Sequence, residues 1–427
     1  MKHLLQNTLL LAACLAVTSL AYGQFTLSGE IRPRAEFRDG FKTINTAASD
    51  PAFFIEQRSR LYFNYQEDRL QFHLALQDVR IWGGTSQIYK ADNALTNLYE
   101  AWGEYQFSSR ASVRVGRQAL DYDNARFLGD LDWAQQGRSH DAVKFVYQDT
   151  SGWELHVGGA YNQGYDPPEP RRVAGTFYDV NGNYKTMQFA WLHKSWASAS
   201  ASLLILNDGR QRSDSTVAFR QTYGFVGNWS LGDVKLGNEI YYQGGKDPAG
   251  LDVSAWLLAA NATFNTAVTP LTLGVDYLSG SDAQDQTNHA FNPLYGTNHK
   301  FYGLMDFFYV GNNHGQEGRT AGLVNFYAKA KFKLGEKSAL ITHVHHFQSP
   351  TAVQPGEGSG ENLSSGLAQE IDLVYNLNIS PTINFKLGYS HLFSTESLEA
   401  LKGGAERQGA NQWAWSMISF RPTFFSN

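Results

Sequence analysis

From Glu30 to Arg38 every second residue is charged: Glu30, Arg32, Arg34, Glu36 and Arg38, with Ile31, Pro33, Ala35 and Phe37 between them. A period of two is strand geometry, because successive side chains point to opposite faces. One face of this segment therefore carries five charges. The core of a packed sandwich does not hold such a row, because a buried charge needs its own partner. A charged face in water and an apolar face in lipid satisfy both rows, and that arrangement is a barrel wall.

The same alternation recurs along the chain. It places strands near 25–38, 53–65, 69–82, 97–107, 111–121, 138–148, 152–161, 184–195 and 198–207. Further strands follow near 217–229, 232–243, 252–264, 270–279, 321–334, 338–348, 365–378, 382–393 and 411–424. The count is about 18. Tight turns fall at Gln66–Asp68, Ser108–Arg110, Asp149–Ser151, Ser230–Leu231, Gly335–Lys337 and Ile379–Pro381. Long polar or glycine-rich segments fall between them, at 39–52, 83–96, 122–137, 162–183, 280–320, 349–364 and 394–410. Short and long connections alternate, as in outer-membrane barrels with periplasmic turns and external loops. An even count returns both ends of the barrel to the periplasmic side. Lys300–Val310 has some strand character but would make the count odd, so it belongs to the long loop. Asn207-Asp208-Gly209 and Ser279-Gly280-Ser281-Asp282 read as external turns.

Composition agrees. Apolar residues are 42% of the chain, with 27 Phe, 22 Tyr and 10 Trp. After residue 23, however, no stretch approaches the roughly 20 apolar residues of a spanning helix. The leader has a different logic. Lys2 and His3 precede an apolar run from Leu4 to Leu20, and Ala21-Tyr22-Gly23 puts small residues before Gln24. This is the pattern of a cleaved secretory signal, residues 1–23, leaving a barrel of residues 24–427. Leu11-Ala12-Ala13-Cys14 resembles a lipoprotein box, but the apolar run continues past it. Cys14 is the chain's one cysteine and leaves with the leader, so disulfides and thiol chemistry are excluded. Without Lys2 the chain has 34 basic and 40 acidic residues, a balance of −6 with no basic footprint for nucleic acid.

At 16–18 strands a barrel is too wide for side chains to fill, and a lumen remains. Assigning the polar member of each alternation inward gives candidate pore residues. Strand one offers Arg32 and Arg34, and strand two offers Arg58 and Arg60 with Ile55, Leu61 and Phe63 outward. Strand three offers Asp78 and Arg80, followed by Trp82. Strand four, with Tyr99, Ala101 and Tyr105 outward, offers Glu100, Trp102 and Glu104. Strand five carries Arg114 and Arg117, and a bulge at Gly116 would bring both inward. Arginine suits an anion path because its planar fork binds carboxylate bidentately and stays charged. The same arginines also suit ladders of ion pairs with neighbouring acids, and a pore has use for both. Loops 162–183 and 280–320 are long enough to fold inward and narrow the channel.

Four stretches resemble a known family. They are Gly29-Glu30-Ile31-Arg32-Pro33-Arg34-Ala35-Glu36; Gln57-Arg58-Ser59-Arg60-Leu61 with Gln77-Asp78-Val79-Arg80-Ile81-Trp82; Arg114-Val115-Gly116-Arg117-Gln118 with Asp132-Trp133 and Gln136; and Asn292-Pro293-Leu294-Tyr295-Gly296-Thr297-Asn298-His299 with Phe301, Gly303 and Asp306. Together they resemble the alginate-export outer-membrane proteins over nearly all of residues 24–427. The resemblance implies a monomeric 18-stranded barrel in a Gram-negative outer membrane, delivered by the barrel-assembly machinery and embedded in lipid. It also implies a positive pore for anionic polysaccharide or a small anionic solute, with Arg32, Arg34, Arg58, Arg60, Arg80, Arg114 and Arg117 lining it. The net negative charge departs from that pattern and weighs against alginate as the particular solute. A general small-solute porin, and a plugged barrel working as scaffold or adhesin, are the alternatives.

Chemistry has weaker support. His343 and His345 share a strand face and could hold a metal near the rim, with His346 beside them, but polar lining is the plainer reading. No spacing matches a calcium loop. Leu278-Ser279-Gly280 lacks the strand-to-helix context of a nucleophile elbow. A barrel hydrolase would need a paired Ser and His that nothing selects. The expectation is a transporter with no cofactor and no metal, not an enzyme.

Overall fold

The structure is a computed structural model, describing residues 23–84, 96–162, 183–212, 216–282, 284–315, 318–355, 361–404 and 407–427. The leader and most of segment 162–183 lie outside the described residues. The first half of the wall comprises β1 (Gln24–Asp39), β2 (Ala52–Glu67), β3 (Leu70–Ile81), β4 (Thr96–Ser108), β5 (Ala111–Gln118), β6 (His140–Gln148), β7 (Trp153–Tyr161), β8 (Thr186–Ser195) and β9 (Ala199–Gln211). The second half comprises β10 (Val217–Leu231), β11 (Val234–Gly245), β12 (Ala255–Asn265), β13 (Pro270–Leu278), β14 (Leu323–Lys333), β15 (Ser338–Gln348), β16 (Gly366–Ser380), β17 (Ile383–Ser394) and β18 (Asn411–Phe420), continued by β19 (Thr423–Ser426). Among the described residues the only α-helix is α1 (Glu396–Leu401), one and a half turns in the loop before β18.

Each strand pairs antiparallel with its sequence neighbour, and β1 closes the ring against both β18 and β19. β18 and β19 are therefore one wall strand, interrupted at Arg421-Pro422, and the barrel has 18 strands. Proline has no N–H for the ladder; instead its carbonyl accepts from the Gly29 amide (3.0 Å). Lys300–Val310 lies in the loop between β13 and β14, with a single 3₁₀ turn at Asn298–Lys300.

The outer surface is apolar, with aromatic side chains collected at both edges. Phe107, Trp153, Trp196, Trp229, Phe332 and Phe425 are exposed at the short-turn end. Phe53, Trp82, Tyr161, Phe219, Trp256 and Phe393 are exposed at the long-loop end. Two such girdles around an apolar band match the two interfaces of a bilayer.

Register, rather than polarity, decides which side chains enter the lumen, because residues directly opposite in neighbouring strands share a face. Arg58 and Arg60 face inward and pair with Val79 and Gln77, so β3 sends Gln77 inward. Asp78 and Arg80, opposite Ser59 and Gln57, are on the outer face near the external rim. They form an ion pair there (2.6 Å), and Trp82 donates to Gln57 Oε1 (3.1 Å). The inward assignment of Asp78 and Arg80 is thereby corrected. Arg117 also faces outward, on the opposite face from inward Arg114 in a β4–β5 ladder that is continuous between the two, and pairs with Asp141 at 3.0 Å. Gly116 makes no bulge; its φ of 127°, and the Ala101 carbonyl oxygen lying where a Cβ would have to stand, are what require glycine.

The bulge lies instead in β4. The β3 register shifts between Ala75, opposite Glu100, and Leu76, opposite Leu98, and this turns Tyr99 inward with Glu100. Asn207-Asp208-Gly209 is strand rather than turn, since β9 runs to Gln211.

Candidate functional site

The inward row of β1 and β2 forms a dense polar ladder. Arg58 Nε donates to Glu30 Oε1 at 2.7 Å, and Arg34 Nε donates to Glu36 Oε1 at 2.8 Å. Arg34 also pairs with Glu56, and Glu36 accepts from Arg38 and from Trp413 Nε1 (2.8 Å). Arg60 donates to Gln77 Oε1 (2.7 Å) with its guanidinium 3.6 Å above the Tyr99 ring. Arg32, Arg34, Arg58 and Arg60 are all buried, Arg58 completely.

What buries them is the loop between β5 and β6, folded into the lumen across their tips. Arg32 donates to Gln135 Oε1 (3.2 Å), Asp132 Oδ2 (3.3 Å) and the Ala134 carbonyl (3.2 Å). Arg58 reaches Asp132 Oδ1 at 2.8 Å, and Arg60 reaches it at 3.6 Å. Arg34 donates to the Trp133 carbonyl (2.9 Å) and stacks on its indole at 4.3 Å. Three guanidinium groups thus converge on one carboxylate. Burial alone would raise the Asp132 pKa; Arg58 and Arg32 outweigh it and hold the group below the usual carboxylate range. Trp133 packs between His299 (4.7 Å, stacked) and Trp415 (4.8 Å).

A second clamp holds the other end of the same loop. Arg126 is buried between Asp276 (2.8 Å) on β13 and Glu239 (3.2 Å) on β11, with Phe301 against its guanidinium at 3.9 Å. Those two acids, one inward position on each of two strands, hold the guanidinium well above its ordinary pKa despite burial.

The long loop 279–322 folds in beside it. The Met305 amide donates to Glu370 Oε1 (2.8 Å), Gln243 exchanges hydrogen bonds with Asn292, and Tyr295 donates to Asp208. Arg138 Nη1 joins the loops through the Gly296 carbonyl at 3.0 Å. Of the segments expected to turn inward, 280–320 does so, and 122–137, read only as a long connection, does too. Its signal was present in the Asp132-Trp133 and Gln136 block, but a capping role for it depends on which wall residues stand opposite.

Three open spaces flank this plug. On the external side a cavity of about 860 Å³ is lined by Arg220, Asn292 and Arg319. Between the two loops lies one of about 340 Å³, lined by Arg38, Lys42, Trp133 and Arg138. Toward the periplasmic turns is one of about 500 Å³, lined by Arg32, Asp132, Trp133, Lys386 and Arg421. Trp133 borders the last two, so the 131–136 segment is the partition between them. Elsewhere on the wall, Arg114 pairs with Glu104 (2.7 Å) over the Trp102 ring (3.8 Å), facing a separate periplasmic recess with Lys144. Glu100 accepts from the Ala119 amide at 2.8 Å and so anchors the start of the in-folded loop.

Comparison with known proteins agrees with this architecture. No curated protein matches the chain. Among solved structures, the Pseudomonas aeruginosa protein OccK11 (OpdR) superposes with a TM-score of 0.61 at 13% identity, over 94% of this chain and 96% of that one. The outer membrane protein opdK of the same organism gives 0.60 at 10% identity, covering 94% and 99%. OpdQ, also from P. aeruginosa, gives 0.60 at 13%, covering 94% and 98%. At these identities the likeness is one of fold. The family described as alginate export matches residues 24–411. This chain belongs to the alginate export family, and is an outer-membrane channel barrel of the Gram-negative envelope.

Proposed function

We propose that the channel passes anionic oligo- or polysaccharide and that it acts as a monomer. The observation that carries this reading is a set of cations facing the open spaces on both sides of the plug with no carboxylate in pairing distance among the described residues. Arg220 lines the external cavity, and its Nε is buried without a hydrogen-bond partner. Arg138 lines the middle cavity, where burial pushes its pKa down. Lys386 lines the periplasmic one, beside Arg421. A uronate moving through would meet a cation in each space. Desolvated guanidinium next to a roomy polar cavity is a site for carboxylate.

On this reading the wall arginines Arg32, Arg34, Arg58 and Arg60 act through the loop they brace, and contribute to the field without forming the contact surface. The experiment is single-channel recording of the refolded barrel in a salt gradient. Wild type is expected to prefer anions, and Arg220→Ala/Lys386→Ala to lose most of that preference while conducting. Uronic-acid oligomers are expected to block wild type more strongly than neutral oligosaccharides of equal length. An open channel without ion preference and with equal block by both sugars means a general small-solute porin. No conductance in any variant means a plugged scaffold.

A further inference from the structure

His343 and His345 lie in the middle of β15, on its inward face, rather than at the rim. The register sets His343 opposite Asp372 and His345 opposite Glu370 on β16. Asp372 Oδ2 lies 3.8 Å from His345 Nε2 and 3.9 Å from His343 Nδ1. Among the described residues these three ligand atoms all fall within 4.8 Å of one another.

The hydrogen bonds around the cluster decide where its protons are. Asn325 Nδ2 donates to Asp276 Oδ2 (2.9 Å) and to the Phe301 carbonyl (3.2 Å), so its Oδ1 must be an acceptor. His345 Nδ1, 2.9 Å from that oxygen, is therefore the protonated nitrogen, and Nε2 carries a lone pair. Asp372 Oδ1 is satisfied by Ser390 Oγ at 2.6 Å. Its Oδ2 and Glu370 Oε2 are buried and accept from no other protein donor, and the two carboxyls lie within hydrogen-bonding reach of each other, close enough to share a proton. A buried carboxylate oxygen and an imidazole lone pair thus face each other with no donor between them. An imidazole lone pair facing two buried carboxyls that have only a proton to share between them is costly.

We propose that a divalent transition-metal ion of the zinc class binds here, through His343 Nδ1, His345 Nε2 and Asp372 Oδ2. Two imidazoles and a carboxylate are a donor set for such ions, with bonds of about 2.0–2.2 Å. Tetrahedral bonds of that length put ligand atoms roughly 3.4 Å apart, so closing on the ion needs side-chain movements of about an ångström or less. Asn325 orients His345 from behind, fixing the tautomer that leaves Nε2 free to bind. Lys329, the register partner of His343 on β14, donates to the Lys300 carbonyl (3.4 Å) and stands close enough that its charge acts on all three groups, so a bound ion has to compete with it. The ion would tie β15 to β16 and add fixed positive charge to the lumen wall. It is independent of the solute the channel carries.

The test uses the refolded, full-length barrel without a histidine tag, stripped with chelator and then titrated with Zn²⁺ by calorimetry and with Co²⁺ by visible absorption. One saturable equivalent is expected, with the d–d bands of nitrogen-ligated Co²⁺. His345→Gln and Asp372→Asn should each weaken binding at least tenfold, and Asn325→Leu by roughly 10–100-fold. Far-ultraviolet circular dichroism confirms that each variant is still a barrel; a variant that does not fold is replaced by His343→Gln, on the exposed side of the cluster. No saturable uptake by the folded wild type overturns the proposal. So does binding that survives the substitutions unchanged, since the ion would then be held elsewhere.

Discussion

Arg126 is a cation on a loop that contributes to the wall. It is buried with two carboxylates from strands two positions apart in the barrel, Glu239 and Asp276. Removing one partner of a buried ionic group leaves the others uncompensated. Arg126→Ala is accordingly expected to destabilise the barrel by about 3–5 kcal/mol in a urea titration, far beyond the typical surface substitution. Asp132 gives a different, pH-dependent handle. Its pKa is held below the ordinary 3.8 by Arg58 and Arg32 against the opposing effect of burial. A depressed carboxylate contributes stability that is present above the unfolded value and disappears as pH falls through the folded one. The 131–136 partition should therefore stay fixed at neutral pH and loosen only as pH falls below the ordinary aspartate range, seen as growing current noise that Asp132→Asn shows already at neutral pH. Reading the residues in sequence identified Arg32, Arg34, Arg58, Arg60, Glu100 and Arg114 as inward-facing. It could not identify Arg126, Glu239 and Asp276 as partners, because Arg126 stands more than a hundred residues from either acid and meets them only when a loop crosses the lumen.

Strands were legible because each one repeats a two-residue period that lipid on one side and polar lumen on the other enforce together. What failed was phase. In β3 the polar residues Gln77 and Asp78 are adjacent, so polarity cannot say which of them points inward; the pairing with Arg60 and Ser59 of β2 decides it. In β4 one bulge residue put Tyr99 on the lumen side, where it carries the Arg60 guanidinium. Gly116 shows how local the constraint can be. At φ 127°, with the Ala101 carbonyl oxygen occupying the place a methyl group would take, any side chain must displace the neighbouring strand. Gly116→Ala is expected to cost roughly 1–3 kcal/mol and to lower the refolded yield, whereas Gly103→Ala, with only a 3.9 Å contact, is expected to refold like wild type.

At the scale of the whole molecule, two loops folded into a wide barrel divide its lumen into separate spaces. The wall alone would leave a lumen of porin width, yet the 131–136 segment stands between two cavities and is held by Arg32, Arg34, Arg58 and Arg60. Replacing residues 131–136 with a glycine–serine segment of equal length is expected to raise single-channel conductance severalfold and to weaken uronate block. An unchanged conductance would place the constriction elsewhere, in loop 279–322. The closing seam also belongs to this scale. β1 must recognise β18 and β19 from the far end of the chain, and Arg421, at the break, pairs with Glu30 of β1 at 2.7 Å.

The amino-acid sequence by itself determined the barrel, its 18 strands, which ends carry turns and which carry loops, and the charged row on the first two strands. These are properties of short segments: alternation, turn residues and connection length are each complete within a few residues of chain. The tertiary structure alone decided which face Asp78, Arg80 and Arg117 occupy, which loops fill the lumen, and which cations among the described residues stand beside open space without a carboxylate. Each of those depends on register between strands or on a loop meeting a distant wall. No local pattern encodes either, because the energies that settle them, ion pairing and burial across the lumen, exist only once the barrel is closed.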